Sequence, residues 1–202
     1  IGNSAYLFGS QAVSAVLSIL TANLLGVTGF GALGIVIGFV TNINRLLSFR
    51  MGDFVVRYMG DSLAREQRKE AAAVVKVAAI TELITSLLAY LVLVLLSGWG
   101  AANFAKDPAT QPLFVIYGVA ILANIMTETA MGTLQVTGHF RSQAVLNLLQ
   151  SLLTAGLFLI VFLRQGGVFA VMLVYLAGKM VLGIGPVLLA LYWLPRSLGK
   201  GW

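Results

Sequence analysis

The sequence predicts an all-α integral membrane protein with about six transmembrane helices. Of its 202 residues, 59% are hydrophobic and only 10% are charged, and the mean hydropathy is +0.94. A soluble domain of this size could not hide so much apolar surface from water. Mainly apolar runs that reach the roughly 20 residues needed to cross a bilayer lie near 5–25, 32–58, 71–97, 112–137, 142–163 and 168–194.

The composition also excludes several classes of site. The chain has no cysteine, one histidine and seven dispersed carboxylates, so it predicts neither a disulfide framework nor a metal site. We expect no cofactor. The net charge of +6 is not accompanied by the mixture of dense basic residues and aromatics that is typical of nucleic-acid binding, so nucleic acid is not an expected partner.

The basic residues between the runs predict the orientation of the helices. One set of connections and ends is rich in basic residues: Arg57, Arg65, Arg68, Lys69, Arg141, Arg196 and Lys200. The opposite connections hold Lys106 and Arg164. Because cytoplasmic loops carry an excess of Lys and Arg, the even-numbered helices are predicted to exit into the cytoplasm, with both chain ends there. Trp99, Trp193 and Trp202 suit the membrane interfaces.

The first run carries a Ser/Thr stripe, and the second is more polar. The stripe, which favours hydrogen bonds between helices, consists of Ser10, Ser14, Ser18 and Thr21. On the second run, at about 100° per residue, an arc of roughly 140° holds Asn42, Arg45, Arg50, Asp53 and Arg57. The spacing allows Asp53 to pair with Arg50 or Arg57 while both arginines extend to the interface. Arg45 is deeper, and we expect it to line a cavity.

The remaining runs carry further polar groups at bilayer depth. An ionisable group there costs about 2.5 to 3.5 kcal/mol on insertion scales, so it needs water or a partner. In chain order, the polar side chains are Glu82, Thr85 and Ser86, then Asn124, Thr127, Glu128 and Gln135, then Asn147, Gln150, Ser151 and Thr154, and finally Tyr175, Lys179 and Pro186. Glu128 and Lys179 have no opposite charge three or four residues away. We expect each to meet the other, another helix, or water.

Small residues in two runs predict local packing or bending. Gly34 and Gly38 form a small-xxx-small pair, which is a common device for packing membrane helices. Pro186 lies within the sixth run near three glycines, and either a hinge or close helix packing would explain this pattern.

Three segments then resemble a known family. They are LLGVTGFG at 24–31, GDFVVRYMG at 52–60 and LQVTGHFR at 134–141. In order and spacing they are similar to the N-terminal half of the polysaccharide (lipid-linked oligosaccharide) flippases of the multidrug/oligosaccharidyl-lipid/polysaccharide exporter superfamily. The resemblance implies that residues 1–202 form one six-helix lobe of a two-lobe secondary transporter, with the C-terminal lobe absent from this chain. Because the chain opens on Ile1, we also expect residues before it.

The resemblance further implies a function and a site. A family member moves an undecaprenyl-diphosphate-linked oligosaccharide across the bacterial inner membrane by alternating access, coupled to protons or sodium, without enzymatic chemistry. A diphosphate and sugar hydroxyls require cationic and amide groups in a wet cavity. The expected substrate-binding residues are Arg45, Arg50, Lys179, Asn42, Asn124, Gln135 and Asn147. Ion coupling is expected of Glu128 or Asp53. Other expected partners are membrane lipids and the C-terminal lobe.

Three alternatives remain open at this point. A multidrug exporter of the same superfamily would favour a net acidic cavity, but the intramembrane groups are four basic (Arg45, Arg50, Lys76 and Lys179) against three acidic (Asp53, Glu82 and Glu128). A membrane-embedded lipid glycosyltransferase or polymerase would need a catalytic pair beside a sizeable loop, whereas the loop at 97–111 offers one Asp and no His. A structural subunit would bury its polar stripes without a cavity.

Overall fold

The computed structural model describes residues 2–198, with the side chains at 2–8, 10, 140, 197 and 198 excepted. Lys200 and Trp202 therefore lie outside the described residues, as does the side chain of Ser10. Every regular element in the described range is helical: α1 Gly2–Leu47, α2 Gly52–Ala64, α3 Arg68–Asn103, a 3₁₀ turn Pro108–Thr110, α4 Gln111–Ala123, α5 Thr127–Val136, α6 Phe140–Leu163 and α7 Val168–Leu198.

Within the described residues, five helical stretches are long and apolar enough to cross a membrane. They are Gln11–Leu47, Arg68–Asn103, Pro108–Val136, Arg141–Leu163 and Val168–Arg196. The all-helical prediction is confirmed, and the chain is a multi-pass membrane protein. The number of such stretches is five rather than the expected six because α1 contains the first predicted run and the greater part of the second, up to Leu47.

Gly26 divides α1 into a first arm, 2–25, and a second arm, 27–47. Its backbone has φ 65° and ψ 179°, which is not helical. A positive φ of this kind is readily adopted only by glycine. Beside it, Gly29 packs closely, since a Cβ there would lie 3.2 Å from Cγ2 of Val168 at the start of α7. The boundary predicted between the first two runs therefore exists as a glycine kink inside one continuous element.

Two predicted helices are interrupted. The expected helix at 32–58 is wrong, because α1 ends at Leu47 before α2 begins at Gly52. The run predicted at 112–137 matches the membrane-crossing stretch Pro108–Val136, but it is interrupted where α4 ends at Ala123 and α5 begins at Thr127. At the first break, Ser48 Oγ donates to Asn44 Oδ1 at 2.7 Å. At the second, Asn124 Nδ2 donates to the Ala120 carbonyl at 2.6 Å. Such local side-chain hydrogen bonds compete with continuation of the helix.

Helix α3 runs antiparallel to α4 and α5. Near the end of α3, Ser97 Oγ accepts a hydrogen bond from Gln111 at 3.3 Å. Further back along α3, Glu82 bonds to Thr129 of α5. The order of contacts is reversed along the two segments, so the start of α3 lies beside the end of α5.

The basic ends of the helices lie together. One buried apolar cluster joins Met59 of α2, Ala71 of α3 and Leu194 of α7, with Val136 of α5 packed against it. These residues adjoin the basic connections that follow α2 and α5 and the basic end of α7. The basic residues that were predicted to share one side of the membrane therefore lie at the same end of the helix bundle.

Close helix packing uses glycines other than the predicted pair. No described atom lies within 4 Å of a Cβ built at Gly34 or Gly38, so neither brings described helices together. Instead, a Cβ at Gly132 would lie 2.7 Å from the Gly52 carbonyl oxygen, and one at Gly183 would collide with the Ala123 carbonyl. Helix α7 continues through Pro186, so close packing rather than a break explains the small residues around that proline.

Candidate functional site

A polar cavity of about 270 Å³ lies where the two helix breaks face each other. We call it the break cavity. Its walls come from the end of α1, the segment 48–51, the middle of α3 and the α4–α5 break: Thr41, Asn44, Arg45, Ser48, Phe49, Arg50, Glu82, Asn124, Thr127 and Glu128. All but Phe49 carry polar side chains, although the segments that surround them are strongly apolar.

Glu82 caps α5 from a neighbouring helix. Its side chain is only 2% exposed. Oε1 accepts the Glu128 N–H at 3.0 Å, and Oε2 accepts the Thr129 N–H at 3.0 Å and the Thr129 hydroxyl at 2.8 Å. The first N–H groups of a helix have no partner within it, and the helix dipole favours a carboxylate there. The buried carboxylate is thus satisfied by the end of a helix.

Sequence reasoning did not assign this role to Glu82. The available signal was its isolation, because Glu82 is the one carboxylate in the run at 71–97. Its partner could not be found from the sequence, since α5 was predicted to continue from α4 without a new N-terminus.

Arg50 and Glu128 face each other across the break cavity. Arg50 Nε lies 3.9 Å from Glu128 Oε1, and the two side chains are 76% and 45% exposed. A Cβ at Gly52 would lie 3.0 Å from Glu128 Oε2, so the glycine leaves room for the carboxylate. Glu128 was expected to meet Lys179, another helix or water, and its partner is the guanidinium of Arg50. Arg50 is not paired with Asp53 within the described residues.

Four of the nine residues predicted for substrate binding or ion coupling line the break cavity: Arg45, Arg50, Asn124 and Glu128. Asn42 lies instead in an adjoining, largely apolar groove with Phe39 and Trp99. The other four lie elsewhere: Asp53 is exposed in the first turn of α2, Gln135 is exposed on α5, Asn147 is half-buried on α6, and Lys179 is exposed on α7. The structure does not bring these five into the cavity.

The cavity also contains polar residues that the sequence did not single out as binding residues. Thr41, Asn44 and Ser48 come from the last turns of α1 and the start of the break. On the opposite wall, Thr127 Oγ1 donates to the Gly183 carbonyl of α7 at 3.1 Å and lies 3.4 Å from Asn124 Oδ1. Polar side chains from both breaks therefore meet in one cavity.

Polar stripes elsewhere are used for packing. Thr21 Oγ1 donates to the Leu17 carbonyl at 2.7 Å and lies 3.3 Å from the Tyr175 hydroxyl. On α6, Gln150 Nε2 donates to Thr154 Oγ1 at 2.9 Å. The stripe of the first predicted run thus includes a hydrogen-bonding contact between helices, and that of the fifth run includes a hydrogen bond within one helix.

The break cavity contains two guanidinium groups and two carboxylates. Arg45 and Arg50 supply two guanidinium groups, whose planar N–H donors suit phosphate oxygens. Glu128 opposes one of them, while the Glu82 carboxylate is already bonded to α5. Arg45 lies in the last turn of α1, where the negative end of the helix favours a cation. Among the described residues, no group of three His, Cys, Asp or Glu side chains could hold a metal ion.

Comparison with known proteins yields one match. The sequence model of a family described as polysaccharide biosynthesis protein matches residues 2–198. No curated protein and no solved structure matches the chain. The matched range contains all the helices and the whole break cavity.

Proposed function

The chain belongs to the polysaccharide biosynthesis protein family, and we propose that it flips lipid-linked oligosaccharides across a membrane. It is a multi-pass membrane protein of polysaccharide synthesis. The proposed substrate is a polyprenyl-diphosphate-linked oligosaccharide. We place the protein in the bacterial inner membrane with both chain ends in the cytoplasm, as the distribution of basic residues favours.

One observation carries the proposal: two arginines meet in a polar cavity between two interrupted membrane helices. Arg45 and Arg50 both line the break cavity. Transporters commonly bind anionic groups where membrane helices are discontinuous, because irregular backbone is tolerated there only beside protein or water. A diphosphate is the part of the substrate that two guanidinium groups would hold most strongly.

The proposed mechanism uses alternating access and no covalent chemistry. Arg45 and Arg50 bind the diphosphate, while Asn44 and Asn124 offer amide hydrogen bonds to the first sugar. The breaks separate α2 from α1 and α5 from α4, so the half-helices can reorient while the apolar core remains packed. Glu128 is the proposed site for the coupling proton or sodium ion. A second six-helix lobe is the proposed partner that closes the other side of the path.

The rival within the superfamily is an exporter of cationic drugs. A cationic substrate requires a net acidic cavity, whereas the break cavity has two guanidinium groups and two carboxylates, Glu82 and Glu128, and is not net acidic. The two guanidinium groups, which suit phosphate oxygens, therefore support the anionic substrate.

The proposal is tested by restoring polysaccharide export in a bacterium that lacks its flippase. The complete gene is expressed as wild type, Arg45→Ala, Arg50→Ala and Arg57→Ala, and membrane levels of each protein are matched. Arg57 is the control because it is an exposed arginine of α2 outside the break cavity. We expect wild type and Arg57→Ala to restore surface polysaccharide, and the cavity variants to reduce it at least about tenfold. Normal export by both cavity variants would contradict the proposed site, and failure of wild type would contradict the proposed function.

A further inference from the structure

We infer that the Glu128 carboxylate and the substrate diphosphate compete for the guanidinium of Arg50. This inference rests on the proposed function and adds a regulatory step to the same site. Binding of the anion requires Glu128 to leave Arg50, either because its charge is neutralised or because the diphosphate displaces it.

The contact between the two residues is suited to exchange. Arg50 Nε and Glu128 Oε1 are 3.9 Å apart, which places them in contact without a short hydrogen bond. The Arg50 side chain is 76% exposed, so most of its donors remain accessible. An exposed ion pair of this kind contributes little stability, whereas a diphosphate can accept two parallel hydrogen bonds from one guanidinium. A diphosphate can therefore replace the carboxylate.

The backbone around Glu128 is fixed while its side chain is free to turn. Glu82 Oε1 accepts the Glu128 N–H at 3.0 Å, and the next residue, Thr129, gives Glu82 two further hydrogen bonds. The Glu82 carboxylate thus keeps the Glu128 backbone in place relative to α3. The exchange therefore needs only a rotation of the Glu128 side chain, with the Glu128 N–H still bonded to Glu82.

The charged groups that share the break cavity with Glu128 determine how neutralising Glu128 affects anion binding. Arg50 comes from the segment before α2, Arg45 from α1, and Glu82 from α3. Helix α7 also packs against α5, but it places no titratable side chain in the break cavity. Neutralising Glu128 removes the competitor of Arg50 and leaves both guanidinium groups for the anion. Uptake of a proton or a sodium ion by Glu128 would thus promote substrate binding.

The test is a binding measurement with inorganic diphosphate on the purified full-length chain. Calorimetry compares wild type with Glu128→Gln, Arg50→Ala, the double variant and Asp53→Asn. Asp53 is the matched control, because its carboxylate lies only three residues from Arg50 but does not line the cavity. Thermal unfolding of each variant confirms that it is folded. A parallel titration with a short polyprenyl diphosphate distinguishes a lipid-linked anion from the free one.

The competition predicts a specific pattern of dissociation constants. Glu128→Gln should bind diphosphate about tenfold more tightly than wild type, and Arg50→Ala about tenfold more weakly. In the Arg50→Ala background, Glu128→Gln should change the affinity little, because the contested group is gone. Asp53→Asn should match wild type. Tighter binding of the lipid-linked anion than of the free one would identify the lipid as its source.

Two results would overturn the inference in different ways. If wild type binds diphosphate but Glu128→Gln binds it equally well, or if Asp53→Asn tightens binding as much, then competition at Arg50 is wrong while the anion site of the proposed function stands. If neither wild type nor Glu128→Gln binds either diphosphate, the anion site itself is wrong and the inference falls with it.

Discussion

The carboxylate of Glu82, in the middle of α3, accepts the backbone N–H of Thr129 at 3.0 Å and thereby caps the N-terminus of α5. The bond ties a continuous membrane helix to an interrupted one. On the other side of the same break, Thr127 donates to the Gly183 carbonyl of α7 at 3.1 Å. The break cavity therefore has one wall that is held by hydrogen bonds from two neighbouring helices.

Removing the Glu82 carboxylate should destabilise the protein. Glu82→Ala leaves two N–H groups and one hydroxyl of α5 without their acceptor, at an expected cost of about 2 to 4 kcal/mol. We expect a lower thermal midpoint and faster hydrogen exchange at the amides of Glu128 and Thr129. Glu70→Ala is the control, since Glu70 is an exposed carboxylate in the first turn of the same helix. Unchanged exchange at both amides would contradict the cap.

Filling the contact between α2 and α5 should also be destabilising. A Cβ at Gly132 would lie 2.7 Å from the Gly52 carbonyl oxygen and 3.1 Å from Val55 Cβ. Gly132→Ala must separate the two helices and should cost about 1 to 3 kcal/mol. The matched substitution Gly34→Ala meets no described atom within 4 Å and should not reduce stability. Equal thermal midpoints for the two variants would show that α2 and α5 are not in close contact.

The kink in α1 depends on a glycine. Gly26 has φ 65°, and a side chain at that position should cost about 1 to 3 kcal/mol through backbone strain. Gly156→Ala is the comparison, because Gly156 lies inside α6, where a Cβ would meet no described atom within 4 Å. Thermal unfolding in detergent should show a loss for Gly26→Ala alone. A stabilised Gly26→Ala variant would mean that α1 is straight.

The orientation of the helices can be measured with single cysteines, because residues 1–202 contain none and any cysteine elsewhere in the complete protein can be replaced beforehand. Lys106 lies in the connection between α3 and the 3₁₀ turn, and Arg141 lies at the start of α6. We expect a membrane-impermeant thiol reagent to label Lys106→Cys in intact cells and to label Arg141→Cys only after the membrane is opened. Labelling with the reverse preference would mean that the basic end faces outward.

Apolar runs and the distribution of basic residues predicted the helical class and the grouping of the basic ends. They could not predict the break at 124–126, because hydropathy continues through it, nor the break at 48–51, because the polar residues around it fit one face of a continuous helix. Asn44 and Asn124 end their helices through hydrogen bonds that depend on local geometry. The positions of these ends also determine where new helices begin, and hence which backbone groups Glu82 can reach.

The candidate site was only partly accessible to sequence reasoning for the same reason. Helix faces identified Arg45 and Arg50, which do line the break cavity. The predicted arc, however, assumed one helix from 32 to 58, so it placed Asp53 with Arg50. The break after Leu47 changes the phase of the residues that follow it, and Arg50 meets Glu128 instead. The neighbours of an isolated ionisable residue such as Lys179 could not be predicted, because they depend on how α7 packs against the other helices.

Protection of one cysteine by substrate shows whether the break cavity binds the substrate diphosphate. Ser48→Cys replaces a cavity-lining hydroxyl by a thiol of similar size, and Lys106→Cys provides a control outside the cavity. The rate of thiol labelling is measured on purified protein with and without a polyprenyl diphosphate. We expect at least about fivefold slower labelling at Ser48→Cys, no change at Lys106→Cys, and loss of protection when Arg45 and Arg50 are both replaced by alanine. Labelling of Ser48→Cys at the same rate with and without the diphosphate would mean that the break cavity does not bind it.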